Sequence, residues 1–296
     1  MRERSYSRDI GIQFAALLCL LVPLLVSCGA ASELTRGPIE AVYAQPGAFE
    51  AASFVVKDGA NKELYKIYHP VELTSGHPII VWGNGTHALP SNYDELLTHL
   101  ATWGFVVIDT YSTTTGTGAE ILGAAEFMAA RNGDPDSPFH GKLDPDEIGA
   151  AGHSQGSTGV INAQTRFEHG PMIKTVVSIA LPDLRWCDPE DKYDTSLLTA
   201  SFFIMGGTGD GIISPTSTNV KAYGQTPPGL AAAMAMAEGA GHSAIEGDGS
   251  HHRGYLTAWM RYQLANDPTA RAAFVGDAAE LENQSRWRDV ALKNLE

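Results

Sequence analysis

A serine flanked by two glycines is the first feature of this sequence that could carry chemistry. Residues 152–156 read Gly-His-Ser-Gln-Gly, with Ser154 at the centre, and they directly follow an apolar run at 148–151. This is the G-x-S-x-G pattern of a sharp turn that holds a nucleophilic serine between a strand and a helix. Because such a turn is tightly packed, the positions two before and two after the serine need small residues. The motif therefore predicts that Ser154 is a nucleophile.

A serine hydroxyl is a weak nucleophile, so it needs a histidine to take its proton and an acid to orient that histidine. Asp210 lies in a glycine-rich turn that follows an apolar run at 202–205, and His242 lies in a second turn of small residues farther along. The chain order serine, acid, histidine is the order expected when the serine stands on a strand-to-helix turn. We therefore predict that Ser154, Asp210 and His242 form a catalytic triad.

Three other residues compete for these roles. Asp183 and Asp188 follow the preceding apolar run, at 176–179, and are the alternative acids. His153 is adjacent to the serine, where its ring cannot easily turn onto the Ser154 hydroxyl, so we interpret it as a packing residue.

Acyl transfer also needs N–H donors for the negative charge that develops on the carbonyl oxygen. The backbone N–H of Gln155, directly after the serine, is one expected donor. We expect the second from the glycine-rich loop at 83–87, where we predict Gly85, with Thr86 as the alternative and as a substrate contact. The loop that follows the next apolar run contains Ser112, which is predicted to face the same site. This chemistry needs no metal ion and no cofactor.

Apolar runs and amphipathic segments alternate along the chain. The predicted strands lie at 54–56, 64–68, 79–82, 105–108, 148–151, 176–179, 202–205 and 233–238, and the predicted helices at 92–103, at 117–131, from 154 onward and at 252–265. Buried strands that alternate with helices predict an α/β class domain with a mostly parallel central sheet flanked by helices. The segment between 179 and 202 is short, so no large lid is expected.

Composition limits the partners of the chain. Its 296 residues are 44% hydrophobic and 18% charged, which fits one large α/β domain. The formal net charge of −14 disfavours a nucleic-acid partner. We expect a monomer.

The N-terminus has the features of a secretory signal. Basic residues precede an apolar stretch at about 12–26, which is too short to be a comfortable membrane span. The sequence Leu-Val-Ser-Cys-Gly that follows resembles a bacterial lipobox, so Cys28 is the predicted lipidation site, and an ordinary secretory signal cleaved near residue 31 is the alternative. We predict a lipoprotein signal peptide at 1–27, a tether at 28–46 and the hydrolase domain at 47–296.

This leader predicts a location outside the cytoplasm. We expect the bacterial cell envelope, with the chain lipid-anchored in the periplasm or at the outer membrane, or secreted. The lipid anchor would be its only contact with a membrane. Cys187 would have no cysteine partner after processing, so no intramolecular disulfide is expected.

Residues 46–275 resemble α/β-hydrolases of the bacterial cutinase and poly(ethylene terephthalate) hydrolase family. The resemblance rests on the segments at 47–49, 83–86, 103–107, 141–144, 258–262 and 266–267. It implies the α/β-hydrolase fold and the hydrolysis of esters, which are polymeric for some members. It also implies Ser154 as nucleophile, Asp210 and His242 as acid and base, and Gln155 and Gly85 as oxyanion donors.

The sequence departs from the family at several positions. Gln155 stands where the family usually has methionine, and Gly85 stands where an aromatic residue often clamps the substrate. Trp186 is the nearest counterpart of the family's substrate-wall tryptophan and is predicted to contact substrate, while the family's C-terminal disulfide is missing. The predicted function is a serine carboxylic ester hydrolase that acts on short-chain or polymeric esters. An acyltransferase or thioesterase, and a non-catalytic binding lipoprotein on the same scaffold, are the alternatives.

Overall fold

A nine-stranded sheet runs through the part of the chain that the computed structural model describes, residues 35–296. The predicted signal peptide and the predicted lipidation site Cys28 lie outside the described residues. Within residues 35–296, no helix is both long enough and apolar enough to cross a membrane.

The strands are β1 (Ala51–Lys57), β2 (Glu63–Pro70), β3 (His77–Gly83), β4 (Val106–Thr110), β5 (Leu143–His153), β6 (Ile173–Ile179), β7 (Ser201–Gly207), β8 (Ala232–Ala237) and β9 (Trp287–Lys293). The helices are α1 (Pro38–Tyr43), α2 (Asp94–Thr102), α3 (Ala119–Gly133), α4 (Gln155–Thr165), α5 (Thr216–Gln225), α6 (Arg253–Ala265) and α7 (Pro268–Arg271).

The strand order is β1-β2-β4-β3-β5-β6-β7-β8-β9. The six strands from β4 to β8 in this order are parallel, whereas β1, β2 and β9 pair antiparallel at the two edges. This arrangement confirms the predicted mostly parallel sheet. In such sheets a ligand site forms beyond the carboxyl ends of the parallel strands, which is where β5, β7 and β8 end.

The core consists of two apolar layers, one on each face of the sheet. One layer packs α2 and α6 against strand residues such as Ile80 and Trp82, and the other packs α3, α4 and α5 against residues such as Ile79 and Val81. Successive residues of β3 therefore enter opposite layers, as strand geometry requires. Both faces of the central strands are buried, which explains why the sequence of each of these strands is a continuous apolar run.

No separate domain covers the site within residues 35–296. The segment between β6 and β7 contains only short 3-10 turns at Leu184–Trp186, Pro189–Asp191 and Thr195–Leu197. The fold is thus the predicted one without a large lid.

The predicted tether at 28–46 is wrong for its C-terminal part. Residues from Pro38 onward form α1, which packs against α6 with Tyr43 buried. The Glu280 carboxylate accepts hydrogen bonds from the backbone N–H groups of Ile39 (2.6 Å) and Glu40 (2.8 Å), which are unpaired in the first turn of any helix. The folded domain therefore begins at or before Pro38.

Besides the short helices α1 and α7, two larger elements were not predicted from the sequence. Helix α5 is rich in threonine and ends in Gly-Gln, so its intrinsic helix propensity is low. Strand β9 carries charged residues and occupies a sheet edge, where one side of the backbone is solvated. Helix α5 packs on β7 and β8, and β9 pairs with β8 at the edge of the sheet.

Burial of Glu40 leads to a pH prediction. Its side chain is fully buried, and this burial raises its pKa to about 7, although Arg286 and Arg36 lie 3.9 and 3.7 Å away and lower it. The folded state therefore holds a proton that the unfolded state releases near pH 4.5. It follows that the wild type should lose stability relative to Glu40→Gln as the pH rises from about 4.5 to about 7.

Urea unfolding of both chains at several pH values measures this difference. Glu50→Gln changes an exposed carboxylate of the same type and serves as the control. A constant difference between the wild type and Glu40→Gln across this pH range would contradict the prediction.

Candidate active site

Ser154 occupies a strained turn between β5 and α4. Its backbone has φ 53° and ψ −118°, a conformation that residues with a side chain rarely adopt. Gly152 and Gly156 allow this turn to lie against the end of β3, because a Cβ on Gly156 would approach the Gly83 carbonyl oxygen to 2.0 Å and a Cβ on Gly152 would approach the Gly156 oxygen to 2.4 Å. The glycines of the motif are therefore required by packing between backbones.

We expect Gly156→Ala to destabilise the fold by about 3 kcal/mol, because the added methyl group meets backbone atoms that cannot move independently. The free energy of unfolding in urea measures this loss. Gly224→Ala is the matched control: it lies in α5 with open space around the added Cβ, so it should be neutral or stabilising by up to about 1 kcal/mol. Equal stability of the Gly156→Ala and Gly224→Ala chains would refute the packing argument.

The three side chains predicted to act together form one hydrogen-bonded series. Ser154 Oγ lies 2.8 Å from His242 Nε2, and His242 Nδ1 lies 2.5 Å from Asp210 Oδ2. Asp210 follows β7 and His242 follows β8, so the carboxyl ends of adjacent parallel strands bring them to the serine. The alternative acids do not reach His242: Asp183 accepts hydrogen bonds from Thr218 and the Arg185 backbone, and Asp188 lies on the wall of the cleft.

Asp210 is charged at neutral pH. Burial alone would raise its pKa, but the hydrogen bond and the charge of His242 and two backbone N–H groups outweigh burial, so the pKa lies below its usual value. One of these N–H groups, that of Ile213, lies 3.2 Å from the second carboxylate oxygen. Because the carboxylate is held at both oxygens, it fixes the imidazole of His242 with Nδ1 protonated and Nε2 facing the serine.

The backbone N–H of Gly85 does not face the cleft. It donates to the hydroxyl of Tyr93 at 3.1 Å, and Gly85 is buried. The prediction of Gly85 as an oxyanion donor is therefore wrong, because its only N–H is already used. The N–H of the next residue, Thr86, has no hydrogen-bond partner among the described residues, and Thr86 lines the cleft.

Gln155 supplies a second unpaired backbone N–H. It is the first residue of α4, where no intrahelical acceptor exists, and residues 35–296 provide no other partner for it. The N-terminus of a helix also carries partial positive charge. Gln155 and Thr86 thus carry two unpaired backbone N–H groups, and both residues line the same cleft as Ser154.

A cleft of about 370 Å³ opens above Ser154. Thr86 and Trp186 line it as predicted, together with Pro182, Ile213 and others. Trp186 is 53% exposed at the rim, where its indole N–H donates to the Ile212 carbonyl at 3.0 Å.

Ser112 does not line this cleft. It borders a separate surface depression with Tyr65 and Glu120, and its hydroxyl donates to the Thr114 carbonyl. The prediction that it contacts substrate is therefore wrong. Its loop follows β4, and in this loop the Thr115 hydroxyl donates to the carbonyl of Asn84, two residues before Thr86, at 2.7 Å.

The side chain of Gln155 makes one wall of the cleft polar, which sequence reasoning did not predict. Its amide donates to Asp191 Oδ2 at 2.7 Å, and its carbonyl oxygen accepts from the Thr115 backbone at 3.4 Å. Burial raises the pKa of Asp191, while the hydrogen bond from Gln155 lowers it. Asp191 carries no sequence motif of its own, so only the fold reveals this contact.

His153 is buried and packs against the rings of Tyr93 and His242, as expected of a packing residue, and it also makes two hydrogen bonds. Its Nδ1 lies 2.9 Å from the Tyr93 hydroxyl, and its Nε2 lies 3.0 Å from the backbone carbonyl oxygen of His242. Burial, with a smaller contribution from His242, lowers its pKa to about 3, so the ring is neutral at physiological pH. Tyr93 lies within the helix predicted at 92–103, and no role in the site was predicted for it.

A comparison with models of known families identifies the family of the chain. A family model described as PETase, PET hydrolase-like, matches residues 29–290. The match spans the segment that contains Ser154, Asp210 and His242 and extends from before α1 into β9.

Proposed function

The chain belongs to the PETase family of PET hydrolase-like proteins, which have the α/β-hydrolase fold, and from this we propose that it is a serine carboxylic ester hydrolase. The observation that carries the proposal is the series from Ser154 Oγ through His242 to Asp210, with hydrogen-bond lengths of 2.8 and 2.5 Å. A serine so placed can lose its proton to the imidazole as it attacks a carbonyl carbon.

The reaction would proceed in two halves. Ser154 Oγ attacks the ester carbonyl carbon and its proton passes to His242 Nε2, which then donates that proton to the departing alcohol. Water attacks the acyl-enzyme, loses its proton to the same nitrogen, and releases the carboxylic acid as the proton returns to Ser154 Oγ. Asp210 holds the imidazole and stabilises its charged form in both halves.

We assign the stabilisation of the oxyanion to the backbone N–H groups of Gln155 and Thr86. Both are unpaired within the described part of the chain, and both belong to residues that line the cleft with Ser154. One well-placed donor of this kind contributes about 3 kcal/mol to the transition state. Because these donors are backbone groups, the side chains at both positions are free to set substrate preference.

The cleft supports short-chain or polymeric esters as substrates. Its volume of about 370 Å³ is at the lower end for small-molecule sites, and one end is open beside Trp186. Pro182, Trp186 and Ile213 offer apolar contact, whereas Gln155 and Asp191 make the opposite part polar. An open cleft of this form suits an ester group within a longer chain.

Two measurements test the proposal together. The chain is incubated with p-nitrophenyl esters of increasing acyl length, and a parallel sample is treated with diethyl p-nitrophenyl phosphate before peptide mass analysis. We expect hydrolysis of the short esters and a phosphorylated peptide that contains Ser154. A folded chain with neither hydrolysis nor phosphorylation at Ser154 would overturn the proposed function.

We also propose that the chain is a lipoprotein of the bacterial cell envelope, anchored through Cys28. This rests on the lipobox-like sequence alone. The wild type expressed in bacteria should incorporate radiolabelled palmitate, and Cys28→Ser should not. Equal labelling of both chains would contradict the assignment.

A further inference from the structure

A series of three hydrogen bonds passes behind the catalytic side chains. The Gly85 N–H donates to the Tyr93 oxygen (3.1 Å), the Tyr93 hydroxyl pairs with His153 Nδ1 (2.9 Å), and His153 Nε2 pairs with the His242 carbonyl oxygen (3.0 Å). Tyr93 is fully buried and His153 is 3% exposed, so water does not compete for these groups.

The two ends of the series fix the direction of every bond in it. A backbone N–H can only donate, so the Tyr93 oxygen accepts from Gly85. A backbone carbonyl can only accept, so His153 Nε2 carries the proton and donates it to His242. Because the ring is neutral, Nδ1 then carries no proton and accepts the proton of the Tyr93 hydroxyl, so His153 has one defined tautomer.

These bonds connect the three segments that the proposed reaction needs. Gly85 precedes Thr86 in the oxyanion loop, His153 precedes Ser154 in the strained turn, and the carbonyl belongs to the catalytic base His242 itself. Glycine at position 85 fits this function, since a Cβ there would lie 3.2 Å from both the Tyr93 oxygen and His153 Nδ1. Neither Tyr93 nor His153 lines the cleft.

We propose that Tyr93 and His153 are positioning residues. They hold the Thr86 N–H and the His242 imidazole at the positions relative to Ser154 that the reaction requires. The inference rests on the proposed function. Catalytic groups must be held within about 0.5 Å of their productive geometry. The Tyr93–His153 pair supplies this constraint to the oxyanion donor and to the base at the same time.

The test compares kcat and KM for p-nitrophenyl butyrate in Tyr93→Phe, His153→Leu, the double variant and His153→Gln. Tyr255→Phe is the matched control, since it removes another buried tyrosine hydroxyl, one that donates to Glu280 away from the cleft. Diethyl p-nitrophenyl phosphate titrates the folded active sites, so that kcat refers to competent protein. Thermal unfolding is measured on every chain.

We expect Tyr93→Phe and His153→Leu each to lower kcat about 10- to 100-fold with KM changed less than about threefold, the loss typical of displaced catalytic groups. The double variant should be no slower than the slower single variant, because the bonds act as one series. His153→Gln should recover part of kcat, since its amide can donate to the His242 carbonyl. Tyr255→Phe should lose thermal stability and keep its kcat.

Other outcomes would overturn the inference. They are a wild-type kcat in Tyr93→Phe, equal losses of kcat in Tyr93→Phe and Tyr255→Phe, or losses that multiply in the double variant. These outcomes leave the proposed function in place, because each is measured against an active wild type. A wild-type chain that hydrolyses no ester would overturn both the proposed function and the positioning role of Tyr93 and His153.

Discussion

Replacing Ser154 by alanine should lower kcat for p-nitrophenyl butyrate by about 10⁴- to 10⁶-fold. The substitution removes the oxygen that lies 2.8 Å from His242 Nε2, so no acyl-enzyme can form. Residual turnover would come from the backbone N–H donors and from substrate binding alone, as it does in other serine hydrolases that lack their nucleophile. The alanine chain should bind substrate with little change, since the cleft walls are untouched.

Steady-state kinetics of the two chains, with circular dichroism to verify folding, measures this loss. Ser112→Ala is the matched control, because it removes a hydroxyl that the structure places outside the cleft and should keep wild-type kcat. Substantial hydrolysis by a pure Ser154→Ala chain would mean that another residue attacks the ester. A large loss in Ser112→Ala would instead restore Ser112 to the site.

Asp210→Asn should reduce kcat by about 10⁴-fold near pH 7. The carboxylate accepts the Nδ1 proton of His242 at 2.5 Å, and the amide of asparagine can present an N–H there instead. The imidazole would then carry its proton on Nε2, where it could not accept the proton of Ser154. The side chain keeps its shape, so this loss comes from the tautomer and charge of the site.

Asp277→Asn, at an exposed position, is the control for removal of one carboxylate.

The wild type and Asp210→Asn should also differ in how their free energy of unfolding depends on pH. Because the folded pKa of Asp210 is lowered, its charged form stabilises the fold above the ordinary aspartate pKa of about 3.9, and this stabilisation is lost as the pH falls through the lower folded value. Wild type and Asp210→Asn should therefore approach each other in stability below about pH 4. An Asp210→Asn chain with full kcat would contradict the assigned role of Asp210.

Much of the site could be predicted because short sequence patterns around its residues identify them. Ser154 lies within a short motif whose glycines are needed at fixed positions, and Asp210 and His242 follow recognisable strands. The parallel sheet could be predicted for the same reason, since strands buried on both faces are continuous apolar runs.

The errors concern properties that depend on contacts distant in sequence. The sequence favoured Gly85 over Thr86 as the donor, and only the fold reveals that the N–H of Gly85 is already bonded to the Tyr93 hydroxyl. The direction of the Ser112 side chain depends on how its loop turns after β4. Helix α1 has only six residues and forms because Glu280, distant in the sequence, accepts its first N–H groups.

The absence of a helical lid over the cleft within residues 35–296 also bears on how the chain would respond to an insoluble ester. Lipases whose helical lid opens at an oil–water interface become faster once substrate forms a separate phase, because opening precedes binding. Between β6 and β7 this chain has only short 3-10 turns, and Trp186 already stands at an open rim. The initial rate should therefore follow one saturation curve through the solubility limit of the ester, without interfacial activation.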